Sequence, residues 1–584
     1  MNFLRNLVAS IFGTLIALGV ILILFVLIAS AIGETDKVSV KENSILEIKL
    51  DKQVKDYAPK SDNPLDEMFG LNDDKIGLND IINAIENAKD DTNIKGISIN
   101  GNGVRAGVAQ TQAIRNKLEE FKESGKFIVA YSDVYDQKSY YLSTIADSIY
   151  LNPVGAVDFK GLSSEVLFFK DFQDKTGVKM EVIRHGKYKS AVEPFLYNEM
   201  SDANREQITS FLTSIWDEIL VDVSNSRNIP VSELNNIADN LLARNANLAK
   251  ENNIIDEALY LDEYENKIKS ALGIFGDDKL NVITIKDYIG TGKGRISSSA
   301  SNKIAVIYAQ GEIMYGKGNE DVIGQELIIN ALRKAKKSSE VKAIVLRVNS
   351  PGGSALASEL IWREIELAKK ELPIIVSMGD VAASGGYYLS CNANRIFAEP
   401  TTITGSIGVF GTIPNISKLA SNIGINAEQV STNSSANYSA FEPMRDDFRA
   451  ITTEGVEEVY NTFLERVSVG RNMSFSAVDS IAQGRVWSGV DALKVGLIDE
   501  LGNLDDAIAY AAELVEITDY KVRNYPDYRV DFEERIGNFP FMKSKQKLLI
   551  EEFGMENYKI LETLKYFSNM KGIQARLPYV LEIH

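Results

Sequence analysis

The chain has 584 residues, 45% of them apolar and 25% charged, and 63 Lys and Arg stand against 81 Asp and Glu for a net charge of −18. At about 150 residues per domain this predicts three to four domain-sized pieces. The balance excludes wholesale disorder, and the acidity excludes a broad grip on nucleic-acid phosphates. One cysteine (Cys391) and two histidines (His185 and His584) leave no disulfide framework and no Cys- or His-rich metal site, and they weaken any Ser-His-Asp triad.

Residues 6–33 form an uncharged run between Arg5 and Glu34, rich in Leu, Ile, Val and Ala. A helix crosses the hydrocarbon core with about 20 apolar residues, so 28 predict a transmembrane anchor at residues 1–33. Ala29-Ser30-Ala31 has the form of a signal-peptidase site, but the run exceeds the roughly 7–15 apolar residues of a cleaved signal. Positive charge precedes the run and Glu34 and Asp36 come after it, which predicts a cytoplasmic amino end and an exported remainder.

An internal repeat organises the chain beyond residue 33. Lys95-Gly96-Ile97-Ser98-Ile99 and Lys342-Ala343-Ile344-Val345-Leu346 are offset by 247 residues, as are Tyr140-Tyr141-Leu142-Ser143 and Tyr387-Tyr388-Leu389-Ser390. Ser190-Ala191-Val192-Glu193-Pro194 matches Ser439-Ala440-Phe441-Glu442-Pro443 at 249, and Ile254-Ile255-Asp256-Glu257 matches Leu497-Ile498-Asp499-Glu500 at 243. Loop insertions in a duplicated domain leave this kind of drift. The predicted pieces are a first repeat at 34–290, a Gly/Ser-rich linker at 291–302 and a second repeat at 303–520. A C-terminal extension at 521–584 shows no trace of the repeat and is expected to be helical. Within the second copy, apolar β-rich runs at 304–308, 343–348 and 374–377 alternate with helical patterns at 355–370 and from 386, so the fold class is α/β with parallel β units.

Two turns in the second copy carry candidate chemistry. Asp380-Val381-Ala382-Ala383-Ser384-Gly385-Gly386 follows a strand and opens a helix, which presents the Ser384 hydroxyl beyond the sheet edge beside backbone N–H groups. Asn349-Ser350-Pro351-Gly352-Gly353-Ser354 is a second glycine turn, and two such turns can supply a pair of oxyanion donors. Each alone is more often a packing feature or a plain turn. The second copy has no histidine to serve as base. Across the repeat, Ser384 aligns with Gln137, while Lys189 aligns with Tyr438. The copy that lacks the serine keeps the lysine, and the copy that lacks the lysine keeps the serine, as one Ser/Lys dyad shared between two domains would leave. His185 and Lys187 read as surface residues, Cys391 as core, and Glu193-Pro194 as a structural turn.

The segments Gly186-Lys187-Tyr188-Lys189-Ser190, Arg347-Val348-Asn349-Ser350-Pro351-Gly352-Gly353-Ser354, Asp380-Val381-Ala382-Ala383-Ser384-Gly385-Gly386 and Thr404-Gly405-Ser406-Ile407-Gly408, in that order, resemble the long, two-repeat form of the signal peptide peptidase A family. The resemblance spans about residues 40–515. It implies tandem crotonase/Clp-protease-like domains and a membrane-anchored serine endopeptidase of the bacterial inner membrane, with its catalytic part periplasmic. It implies a homo-oligomer, a tetramer by the family pattern, acting on remnant signal peptides and similar apolar peptides, with no metal, cofactor or nucleic acid. Ser384 would be the nucleophile, Lys189 the general base, Ser406 the hydroxyl that orients the lysine, and Gly353 and Gly385 the oxyanion N–H donors. The rival reading is a non-catalytic oligomeric membrane scaffold of crotonase-like fold. An acyl-CoA enzyme on the same fold would need a pantetheine and adenine site for which the chain shows no demand.

Overall fold

The computed structural model describes residues 2–32, 39–59, 75–528 except 102, 277, 297 and 434–437, and 573–577. A helix runs over Asn2–Ile32. Its Leu7, Ile11, Phe12, Leu15, Ile16 and Ile23 are exposed. The side chains of residues 24–32 lie outside the described residues, and among those described no helix is long and apolar enough to cross a membrane. The expected anchor therefore stays a reading of the sequence.

The first copy contributes β1 (Ser44–Ile48), β2 (Gln53–Lys55), β3 (Lys75–Gly77), β4 (Ile94–Asn100), β5 (Phe127–Tyr135), β6 (Ser148–Val157), β7 (Lys179–His185), β8 (Glu257–Ala258) and β9 (Asn281–Thr284). The second contributes β10 (Lys303–Gln310), β11 (Glu312–Met314), β12 (Val322–Gly324), β13 (Val341–Ser350), β14 (Gly352–Ser354), β15 (Ile374–Ala383), β16 (Arg395–Ala398), β17 (Ile403–Gly405), β18 (Val409–Asn415), β19 (Val486–Ser488) and β20 (Glu500–Leu501). Each copy builds a sheet whose central strands are parallel, β8-β6-β5-β4-β1-β9 in the first and β19-β17-β15-β13-β10 in the second, where β16 and β20 branch from β15. Helices cover both faces, so the central strands read as continuous apolar runs. Alternate residues of β10 feed opposite cores. Ala305, Ile307 and Ala309 pack on one side, and Ile304, Val306 and Tyr308 on the other.

The duplication extends to individual hydrogen bonds. The Ile149 N–H donates to Asp256 and the Ile396 N–H to Asp499, at 2.7 and 2.8 Å, and each aspartate is also held by an arginine, Arg227 or Arg471.

Of the expected helical extension, 529–572 and 578–584 lie outside the described residues, and the described ones include two strands. β21 (Lys521–Tyr525) adds parallel to β10 just as β9 adds to β1, so the repeat runs past 520. β22 (Ile573–Arg576) lies antiparallel between β14 and β18, in a third sheet ordered β12-β11-β14-β22-β18-β7. At 521–525 and 573–576 strand stands where helix was expected, because mixed charges and aromatics carry no period that separates helix from edge strand.

Candidate active site

Ser384 sits where β15 ends and the helix Gly385–Ser390 begins, with φ 54° and ψ −113°. A residue with a Cβ holds this conformation only when its surroundings over-determine it. Here the Ser384 N–H donates to the Gly405 carbonyl at 2.7 Å, and its own carbonyl accepts from the Tyr388 N–H at 2.8 Å. Glycine at 386 is required by closeness, since a Cβ there would stand 2.8 Å from the Ser350 carbonyl oxygen. The serine is completely buried.

Lys189 arrives from the other copy. β7 leaves the first repeat and pairs antiparallel with β18 of the second, from Lys179 opposite Asn415 to His185 opposite Val409. The turn after β7 then lays the Lys189 side chain against the serine. Its Nζ is 2.9 Å from Ser384 Oγ, 3.0 Å from Ser406 Oγ and 3.2 Å from the Ser406 carbonyl oxygen. Two glycines leave room for the stem. A Cβ on Gly484 would lie 2.6 Å from the Lys189 nitrogen, and one on Gly408 would lie 3.2 Å from its Cδ. Lys189 is fully buried, and no ion pair among the described residues includes it. Burial alone holds its amine well below the usual lysine range. Burial with two hydroxyls and a carbonyl around it, and no carboxylate, favours the neutral amine, the form that can accept a proton.

The two glycine turns meet beside this pair. Gly352 and Gly353 have φ 97° and 153°, and a Cβ on Gly353 would fall 2.0 Å from the Ile313 carbonyl oxygen. The place a Cβ on Gly352 would occupy is 2.8 Å from the Gly385 nitrogen, so both N–H-bearing turns border one small space. All five residues singled out from the sequence (Lys189, Gly353, Ser384, Gly385 and Ser406) thus border one locus.

The other candidates lie apart from it. The His185 ring stacks on Tyr460, centroids 4.1 Å apart, and is half-buried, not on the open surface. Lys187 is exposed over the Tyr188 ring, Cys391 is buried, and Glu193 is a buried acid bonded to Ser201 Oγ at 2.7 Å. Sequence reading passed over Gly408, Gly484 and Asp380. The Asp380 carboxylate accepts from the Gln110 N–H at 3.0 Å, at the first turn of Val108–Lys122 in the first copy, and so ties the serine turn to that copy. Burial and neighbouring Asp56 push it up to about 6. Its place at the head of the Ser384 motif was the available signal.

The model of peptidase family S49 matches residues 120–274 and 366–518, one stretch in each copy. The chain belongs to peptidase family S49. A Clp protease model also matches residues 295–435. The S49 chain is 36% identical to Protease 4 of Haemophilus influenzae, over 98% of this chain and 96% of that protein. It is 37% identical to Protease 4 of Salmonella typhi, over 79% and 76%. It is 34% identical to the chloroplastic serine protease SPPA of Arabidopsis thaliana, over 73% of this chain and 64% of that one. A ClpP1 point mutant from Listeria monocytogenes, at 14% identity over 35% of this chain and 94% of its own, superposes with a TM-score of 0.25, too low to bear on the fold. The S49 chain is a serine protease of the long, two-repeat type, built from tandem α/β domains, the second of which the Clp protease model also matches.

Proposed function

We propose that this S49 protease is a membrane-anchored endopeptidase working through a Ser384/Lys189 dyad on remnant signal peptides and other apolar peptides. The observation that carries this is the 2.9 Å approach of Ser384 Oγ to a fully buried lysine amine that pairs with no carboxylate among the described residues. A free lysine has a pKa of about 10.4 and is only about 0.04% neutral at pH 7, so the burial of Lys189 is what makes it a base. Ser384 Oγ attacks the peptide carbonyl as its proton passes to Lys189 Nζ, and the Gly353 and Gly385 N–H groups hold the oxyanion. Lys189 returns the proton to the leaving amine, and water then releases the acyl group by the same relay. Ser406 Oγ keeps the amine aimed at Ser384.

An apolar cavity of about 490 Å³ lined by Leu356, Tyr388, Val459 and Ile573 supports apolar substrates. The uncharged run 6–33 supports a single-pass anchor in the bacterial inner membrane, with the protease domains periplasmic. The repeat supports assembly with further copies of this chain. Residues 428–433, the second-copy counterpart of β7, are exposed and join no strand among the described residues, and the first-copy counterpart of β18 at 162–168 joins none either. β7 pairing with β18 inside one chain can therefore recur between chains and close a ring, the tetramer of the family pattern.

The test is single-turnover cleavage of a fluorogenic leucine-rich peptide by the full chain in detergent, beside Ser384→Ala and Lys189→Ala. Loss of cleavage in both variants, with the fold intact by circular dichroism, is the expected result. An unchanged Lys189→Ala rate would end the dyad, and a folded but inert parent would favour the scaffold.

A further inference from the structure

We propose that Glu312 recognises a basic side chain immediately beyond the cleaved bond, and that the chain's own strand β22 lies in the groove as a substrate does. This rests on the peptidase reading above. β22 fills the cleft between β14, which carries the glycine turn, and β18, whose partner β7 leads to Lys189, and it is antiparallel to both neighbours. A peptide held by main-chain bonds enters such a cleft as an added strand.

The register can be followed residue by residue. The Leu577 N–H donates to the Pro351 carbonyl at 2.7 Å, and Gly352 pairs with Arg576 and Gly353 with Ala575. Hydrogen-bonded and non-bonded pairs alternate in an antiparallel ladder, so Gly353 and Ala575 form the next bonded pair, with the Ala575 carbonyl facing the Gly353 N–H. That oxygen also lies 3.0 Å from where a Cβ on Gly385 would stand, which puts it between the two glycine turns. The bond presented to Ser384 is therefore Ala575–Arg576.

Side chains around this bond show what the groove reads. Ala575 is fully buried, so its small methyl side chain has no exposed surface. Ile573, two residues earlier and on the same face of the strand, lines the apolar cavity with Leu356 and Tyr388. Arg576 is only 3% exposed, and its guanidinium pairs with the Glu312 carboxylate at the start of β11. A guanidinium taken that far out of water needs a charged partner, and Glu312 is held beside the bond because Ile313 pairs with Gly353. The groove thus fits an apolar residue, a buried residue that is glutamine in the resident strand, a small residue, then a basic one past the cleaved bond.

Two peptides test this, one containing Ile-Gln-Ala-Arg-Leu and one containing Ile-Gln-Ala-Glu-Leu, with cleavage sites read by mass spectrometry. They are given to the full chain and to its Glu312→Gln, Glu312→Lys and Arg576→Glu variants. The parent is expected to cut after Ala and to favour the Arg peptide about tenfold in kcat/KM, Glu312→Gln to lose the preference, and Glu312→Lys to reverse it. Arg576→Glu, which loosens the resident strand, is expected to speed both peptides severalfold. Cleavage that keeps the Arg preference in Glu312→Lys, or that falls at another bond, overturns the inference and leaves the peptidase reading standing. No cleavage of either peptide by the parent or by Arg576→Glu overturns both.

Discussion

In the first copy the side chain of Gln137 is bonded at both ends of its amide to Gly161: Oε1 accepts from the Gly161 N–H at 2.9 Å and Nε2 donates to the Gly161 carbonyl at 3.0 Å. The second copy has Ser384 at this place, with Oγ 3.5 Å from the carbonyl of Gly408, the counterpart of Gly161. The first copy's equivalent of the serine pocket is thus closed by a neutral amide, and Lys189 lies instead against Ser384 of the other copy. Gln137→Ser in a Ser384→Ala background is expected to restore no cleavage, because Tyr438 stands where a second lysine would be needed. Peptide turnover at high enzyme concentration checks this, and any activity above the Ser384→Ala level would show that the first copy can be reopened.

Lys189 makes activity and stability depend on pH in linked ways. Cleavage is expected to rise with pH through the lysine's lowered folded value and to reach its plateau well below 10.5. The unfolded chain binds the lysine proton more readily, so burying the amine costs stability fully below the folded value, and the cost disappears as pH rises to the unfolded one. Lys189→Met should therefore unfold at a higher denaturant midpoint than the parent near neutrality, the gap closing towards pH 10.5, while cleavage falls by about 10²–10⁴-fold. Midpoints and kcat measured across pH 6–11 decide both.

Gly484 has φ 82°, and a Cβ there would meet the Lys189 main chain at 2.6–2.7 Å. Gly484→Ala is expected to displace the lysine and lower kcat by about tenfold or more, because an ångström of misplacement at a proton-transfer pair is costly. Its KM should move little, since the apolar cavity is lined by other residues. An equal fall in binding and turnover would point to general unfolding instead.

Glu399 is buried in the second copy, and burial pushes its carboxyl up to about 8. The native state therefore holds that proton more tightly than the unfolded chain, and its contribution is complete below the ordinary glutamate value of 4.5 and lost as pH climbs through 8. Glu399→Gln removes this dependence and is expected to be more stable than the parent above pH 8, by up to a few kcal/mol, with the advantage gone near pH 4. Urea unfolding at pH 4, 6 and 8.5 measures it.

The duplication, the alternation of strand and helix, and the two glycine turns were legible from residue order alone. These rest on local rules: continuous apolar runs make strands covered on both faces, and only glycine fits at Gly353, where another main chain passes within 2.0 Å of a Cβ position. The crossed loss of serine and lysine also made the partnership of Lys189 with Ser384 readable. How the two meet was settled in three dimensions, because the pairing of β7 with β18 brings Lys189 to Ser384, 195 residues further on, and no local period encodes such a pairing. The same holds for Asp380, whose role depends on the first turn of a helix in the other copy. It holds most of all for Ile573–Arg576: four residues with no strand signal of their own become a strand because β14 and β18 leave unpaired main-chain groups on either side of one cleft.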